Sequence, residues 1–229
     1  MSEAAGVTPA VAVDVAVFTV LDRHLQVLLV QPRTGPFADQ WALPGGRVHV
    51  DESLDDAARR ELAAQTGLRD VYLEQLYTFG SPQRDPRNRV VSVAYVALIP
   101  HGGRFVAPPA AAADAPGGKY AHVAWRPVRR LPPLAYDHAT VVRTALARLR
   151  AKLTYTNLVY TLLPDAFTLG ELQEMYEAIL GRTLDRRNFR KKILSLGLLR
   201  RLDRQRRGPH RPAALHAFRH RRPMVVDVL

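Results

Sequence analysis

Between Pro44 and Leu68 the chain reads PGGRVHVDESLDDAARRELAAQTGL, and no other segment restricts its folding as much. Pro44, Gly45 and Gly46 break a short extended piece, WALPGGRV (41–48), and a self-punctuated helix follows. Ser53 is placed to cap that helix, with Asp56 three residues on, and Gly67 is placed to stop it, so the spacing predicts a helix over 53–66. At about 100° per residue, positions 61, 64 and 65 share one face. Three carboxylates there would converge and hold a hard cation such as Mg²⁺ beside a phosphate chain. Here the positions carry Glu61, Ala64 and Gln65, a carboxylate, a methyl group and a neutral amide. Asp55 and Asp56 are rotated away from Glu61, and Glu52 lies ahead of the helix.

The flanking pattern is that of an α/β domain. AVAVDVAVFTV (10–20) and LQVLLVQ (25–31) read as strands joined by the polar turn Asp22-Arg23-His24. Strand-like runs recur at 71–79, 89–100 and 122–128, and 138–153 has helical periodicity. HGGRFVAPPAAAADAPGGK, between two of these strands, reads as a mobile surface loop. Residues 1–9 are expected to be disordered, 10–152 to form one domain and 153–229 a second. No run of about 18 apolar residues occurs, so no membrane span is expected. MSEAAGVTPA carries acid rather than a basic leader, which argues against a signal peptide. The absence of cysteine excludes disulfides, zinc–thiolate sites and cysteine nucleophiles, and fits a cytoplasmic protein.

Charge separates the two halves. Residues 1–152 hold 18 Lys and Arg against 14 Asp and Glu, whereas 153–229 hold 15 against 7, so +8 of the net +12 lies in the last third. That asymmetry points to a polyanionic partner, nucleic acid before membrane. Thr168 and Glu171 form a capping-box signature for a helix with an apolar stripe of Leu169, Leu172, Tyr176, Ile179 and Leu180, ended by Gly181. Asp185 can cap a second helix that turns Phe189, Ile193 and Leu196 inward. Two short helices so joined read as a helix-turn-helix. The second carries Arg186, Arg187, Asn188, Arg190 and Lys191, residues that reach bases or phosphates if it enters a major groove. The plain alternative is a solvated basic face. LLRRLD and PAALHAF then read as two strands with RQRRGPHR as the turn, which places Arg204, Arg206, Arg207 and Arg211 as phosphate contacts on a wing; the alternative is a frayed basic tail.

From Gly46 to Leu68 the sequence resembles the Nudix box, Gly-x5-Glu-x7-Arg-Glu-U-x-Glu-Glu-x-Gly-U with U aliphatic. Gly46, Glu52, Arg60, Glu61, Leu62, Gly67 and Leu68 match, while Ala64 and Gln65 stand where the paired acids belong. WALPGG is also Nudix-like, and FGSPQRDPRNRVVSVAY (79–95) is similar to the corresponding region of ADP-ribose-type Nudix proteins. The resemblance implies an α/β/α sandwich around a mixed sheet, with a pocket for a nucleoside diphosphate linked to another group. Nudix hydrolases use the missing acids to bind metals that polarise the pyrophosphate and activate water. Their loss implies a ligand pocket without efficient hydrolysis, with no catalytic residue and no metal assigned. Glu52, Arg60 and Glu61 are then remnants, and Glu61 either pairs with a base such as Arg60 or keeps some residual metal affinity.

A Nudix-like domain followed by a winged helix resembles the NrtR-type transcriptional regulators. LAYDH (134–138), TYTNLVYTLLPDAFTLGELQ (154–173) and LDRRNFRKKIL (184–194) are similar to segments of that family. The resemblance implies a homodimeric repressor on a palindromic operator in double-stranded DNA, answering to ADP-ribose or a related nucleotide as effector, with no cofactor. In many members the controlled genes concern NAD metabolism. Candidate ligand-binding residues are Arg33, Trp41, Arg47, Arg84, Asp85 and Arg87, arginines facing a diphosphate and Trp41 packing; Trp41 reads equally well as core and Arg87 as a turn residue. The rival reading is a hydrolase of ADP-ribose-type nucleotides with an appended nucleic-acid-binding domain. A third is a basic domain that holds nucleic acid without sequence choice.

Overall fold

The computed structural model describes residues 8–100, 119–206 and 212–228. Its first elements are β1 (Ala10–Leu21), β2 (His24–Pro32), β3 (Gly45–Arg47), α1 (Leu54–Thr66), β4 (Tyr72–Phe79), β5 (Val90–Leu98), β6 (Tyr120–Pro127) and α2 (His138–Tyr155). A 3-10 turn at Leu158–Thr161 follows, then β7 (Phe167–Thr168), α3 (Leu169–Leu180), α4 (Arg186–Ser195), β8 (Leu199–Arg206) and β9 (Ala213–Phe218).

By mutual packing these residues divide into two compact units. One holds 8–18, 27–97 and 119–145; the other holds 19–26, 98–100 and the described residues from 146 onward. The six-stranded sheet has the order β4-β5-β1-β2-β6, with β3 pairing antiparallel to β1. The central position of β1 explains its composition. Val13 to Val20 are all buried, so β1 is covered on both faces and its apolar run is nearly unbroken. Asp14 is the polar exception in that run. The β1–β2 turn is tighter than the three-residue turn expected. Asp22 and Arg23 both have positive φ, at 48° and 63°, and His24 already belongs to β2. Two left-handed residues match the twist of a two-residue hairpin.

α1 begins and ends as its residues dictate. Ser53 accepts the amide of Asp56, and Gly67 takes φ 73° to close the C-terminus on the Ala63 carbonyl. α2 runs unbroken through residue 152, where the composition suggested a boundary.

The second unit is small and aromatic at its centre. Thr168 and Glu171 form the reciprocal capping box at the start of α3. Tyr176 of α3 meets Phe189 of α4 edge-on at 5.3 Å, and Phe167 lies 5.2 Å from Phe218. β7, β9 and β8 form a three-stranded sheet, with an irregularity in the β8–β9 register between Arg201 and Gln205. β8 extends to Arg206, so Arg204 and Arg206 lie in a strand rather than in the turn that the residue types suggested. A strand is favoured because the β9 backbone is available as a partner through Ala213.

The C-terminal segment has a structure its sequence did not announce. Asn157 donates its side-chain amide to the Arg222 carbonyl and accepts the Met224 amide, while Val226 and Val228 donate to Tyr155 and Thr154. Among the described residues, no helix is long and apolar enough to cross a membrane. The loop expected at 101–119 lies outside the described residues except for Lys119, and the N-terminal expectation except for residues 8 and 9.

Candidate ligand pocket and nucleic-acid interface

A cavity of about 340 Å³ opens in the first unit, floored by β1 and the Gly45-Gly46 loop and walled by residues 34–37, by Arg84, Asp85 and Arg87, and by Tyr136 and His138. Its charged lining is Asp14, Arg47, Arg84, Asp85, Arg87 and Lys119.

Asp14 anchors the floor. It is buried, accepts Ser92 Oγ at 2.6 Å and Arg84 Nη2 at 2.8 Å, and lies 3.3 Å from His138 Nε2. Because His138 Nδ1 accepts the Leu43 amide at 2.8 Å, Nε2 is the nitrogen left to donate. Burial pushes the Asp14 carboxyl up, but His138 and Arg84 outweigh it and hold the group well below the usual carboxylate range. The Arg84 guanidinium also reaches Asp137, at 3.2 Å from Nε and 2.8 Å from Nη2. A buried charge persists only with such partners.

The rim is a second ion pair joined to aromatic rings. Asp85 Oδ1 accepts the amide and Nε of Arg87, and Oδ2 accepts its Nη2 at 3.0 Å. The same Nη2 donates to the Tyr136 hydroxyl at 3.3 Å. Tyr136 has φ 54°, a conformation that a bulky side chain adopts only when its surroundings impose it. Its ring packs 4.3 Å from Phe37 and 5.1 Å from His138.

Of the six candidate ligand residues, Arg47, Arg84, Asp85 and Arg87 line this cavity and Arg33 and Trp41 do not. Arg33 turns Nε onto the Tyr120 carbonyl at 3.0 Å. Trp41 is half-buried beneath the Arg126 guanidinium, 4.6 Å from its ring centre. Phe37, Lys119, Tyr136 and His138 escaped the reading of the sequence. The LAYDH run contains two of them, but nothing local says that its rings turn into a cavity.

The box residues form a closed network beside the pocket. Glu52 accepts Arg60 Nε at 2.8 Å, Arg60 Nη2 at 2.5 Å and the His49 amide at 2.8 Å. Arg60, followed by the His49 amide, holds its carboxyl down at about 2. Arg60 Nη1 donates to Glu61 Oε1 at 2.6 Å, and Gln65 Nε2 donates to Glu61 Oε2. Gln65 also donates to the Gly45 carbonyl at 2.7 Å and accepts the Gly45 amide at 3.0 Å. A Cβ on Gly46 would come within 2.2 Å of Glu61 Oε1, so only glycine lets the loop pass this carboxylate. Ala64 is exposed and offers no oxygen. Among the described residues no three His, Asp or Glu side chains are grouped to hold a metal ion. The donors present at positions 61, 64 and 65 are one carboxylate, a methyl group and a neutral amide. One Glu61 oxygen accepts from a guanidinium and the other from an amide N–H, a set too poor in charge to fit a catalytic metal.

In the second unit, Asp185 caps α4 by accepting the Asn188 amide at 2.8 Å. Phe189 and Ile193 face the core, which leaves Arg186, Arg187, Asn188 and Lys191 exposed. Arg190 is half-buried, and burial followed by Arg186 lowers its pKa. Arg204 is exposed on β8, whereas Arg206 is held by Glu171. Arg200 and Arg201, also exposed on β8, join this basic surface and were not among the candidates. Arg207 and Arg211 lie outside the described residues.

Comparison with known proteins matches the NUDIX domain model to residues 10–147 and the NrtR DNA-binding winged helix domain model to residues 159–218. The chain is 37% identical to the ADPR responsive transcriptional repressor NtrR of Acinetobacter baylyi, over 92% of this chain and 82% of that one. It is similar to Shewanella oneidensis NrtR complexed with a 27mer DNA, with a TM-score of 0.79, 35% identity and coverage of 91% and 93% of the two chains. The NUDIX domain of the same Shewanella protein, complexed with ADP ribose, gives a TM-score of 0.53 at 34% identity, covering 65% of this chain and 94% of that one.

Proposed function

We propose, since the chain belongs to the NrtR family of NUDIX-related regulators, that it is a transcriptional repressor that binds duplex DNA and responds to ADP-ribose or a related nucleotide. The observation that carries this reading is α4. It is a capped helix with its apolar face buried, and it presents Arg186, Arg187 and Asn188 together at its N-terminal end. Residues 153–229 form the DNA-binding domain in this reading, with Arg204 and the neighbouring β8 arginines on phosphates, and residues 10–152 bind the effector. Arg47, Arg84, Asp85 and Arg87, at the cavity floored by β1 and the Gly45-Gly46 loop, are the ligand residues; Arg84 and Asp85 act through the ion pairs that shape it. The repressor works in the cytoplasm as a homodimer on a palindromic operator, and genes of NAD metabolism are the proposed targets. Ligand and operator are coupled only if the nucleotide prefers one arrangement of the dimer over another.

The chain does not hydrolyse its ligand efficiently in this reading, because Ala64 and Gln65 leave Glu61 the single carboxylate among positions 61, 64 and 65. Mobility shifts test the reading. Duplexes from upstream of neighbouring genes should bind more tightly than scrambled ones, and ADP-ribose should change that affinity. Equal affinity for both duplexes would reduce the second unit to an electrostatic nucleic-acid binder. ADP-ribose turnover of about 1 per second or more with Mg²⁺ would instead favour a hydrolase.

A further inference from the structure

The pocket and the box make opposite use of their charges. In the box, both Glu52 oxygens accept from Arg60, one of them also from the His49 amide, and the two Glu61 oxygens accept from Arg60 and Gln65, so each carboxylate is already matched by a donor of the chain. Gln65 has a mechanical part as well. Both of its polar atoms bind the Gly45 backbone, fastening the glycine loop of the pocket floor to α1. In the pocket, Arg84 is matched by Asp14 and Asp137, and Arg87 by Asp85. Arg47 and Lys119 also line the cavity, and among the described residues neither has a carboxylate partner. A nucleoside diphosphate brings about two negative charges into this space, and two unmatched cations meet it there.

We infer that the pocket takes a nucleoside diphosphate without a divalent cation, Arg47 and Lys119 supplying the counter-charge and Gln65 holding the glycine loop to α1. The inference rests on the nucleotide-binding reading above. It separates ligand recognition from Mg²⁺ altogether, so occupancy would follow nucleotide concentration alone.

Calorimetric titration of the full chain with ADP-ribose, in EDTA and again in Mg²⁺, tests it. Kd is expected to agree within about twofold between the two buffers, and a tightening of about tenfold or more by Mg²⁺ would overturn the inference. Manganese titrated into the chain alone should leave the free Mn²⁺ spin-resonance signal undiminished; stoichiometric capture would overturn it too. Arg47→Ala and Lys119→Ala are each expected to weaken ADP-ribose about tenfold in EDTA while leaving the affinity for adenosine, which has no phosphate, unchanged. Equal losses for both ligands would mean that the two side chains shape the pocket rather than meet the diphosphate. Absence of ADP-ribose binding in either buffer overturns the nucleotide reading along with this inference, whereas binding that requires Mg²⁺ overturns this inference alone.

Discussion

Gln65 grips Gly45 with both ends of its side-chain amide, donating to the carbonyl at 2.7 Å and accepting the amide at 3.0 Å. Such a pair of hydrogen bonds from one buried side chain to one backbone residue fastens a helix to a loop without any charge. Gln65→Ala leaves both Gly45 groups and the Glu61 carboxylate without this partner. Its expected cost is about 1–3 kcal/mol, seen as a lower denaturant midpoint together with faster exchange of the Gly45 amide. An unchanged midpoint would show the grip to be incidental.

Arg84 stands between two carboxylates 2.8 Å away, and one of them, Asp14, is buried. Arg84→Ala strands that charge and should destabilise the fold by about 3–5 kcal/mol, with the slope of the denaturant curve unaltered. Arg84→Lys keeps the charge but not the fork, so it should recover part of the loss. Equal stabilities for the lysine and alanine variants would rule out the two-sided geometry as the source.

Acid should loosen the first unit in a definite window. The Glu52 carboxyl titrates at about 2 in the folded chain, chiefly because Arg60 donates to it, against 4.5 ordinarily. A depressed folded value means that its contribution is present above the ordinary pKa and is lost as pH falls toward the folded one. Stability measured from about pH 5 down to about pH 2 should therefore fall, and Glu52→Gln should flatten the slope. Asp14, shifted in the same direction, adds to the fall in both proteins. Parallel curves for the two would exclude Glu52 as a contributor.

On DNA, two classes of arginine should separate. Arg187→Ala or Asn188→Ala, exposed on the first turn of α4, should relax operator preference at a cost of roughly 1–3 kcal/mol at a read base. Arg204→Ala should weaken every duplex alike and reduce the salt slope by about one. Arg206→Ala should do less, because Arg206 must first leave Glu171 to reach a phosphate. Mobility shifts across a salt series measure all three, and an Asn188→Ala variant with intact sequence choice would move the reading surface off α4.

What the residue order determined by itself was local. Ser53, Gly67, Thr168, Glu171 and Asp185 cap their helices within a few residues of chain, so their roles are settled by spacing and backbone geometry. The apolar run of β1 likewise announced a buried strand. The basic face of α4 was legible because its apolar residues recur at helical spacing and leave the charges opposite. The missing acids at 64 and 65 were legible too, yet the role of Gln65 was not, since Gly45 lies twenty residues upstream.

Tertiary structure alone decided which charges are spent and which remain available. Arg84 meets Asp14 and Asp137 across 70 and 53 residues, which no pattern along the chain encodes. The same holds for Trp41, drawn under Arg126 and away from the cavity, and for Arg206, claimed by Glu171. Caps depend on neighbours in sequence; the balance of a pocket depends on neighbours in space, because an ion pair is decided by distance and burial rather than by residue type.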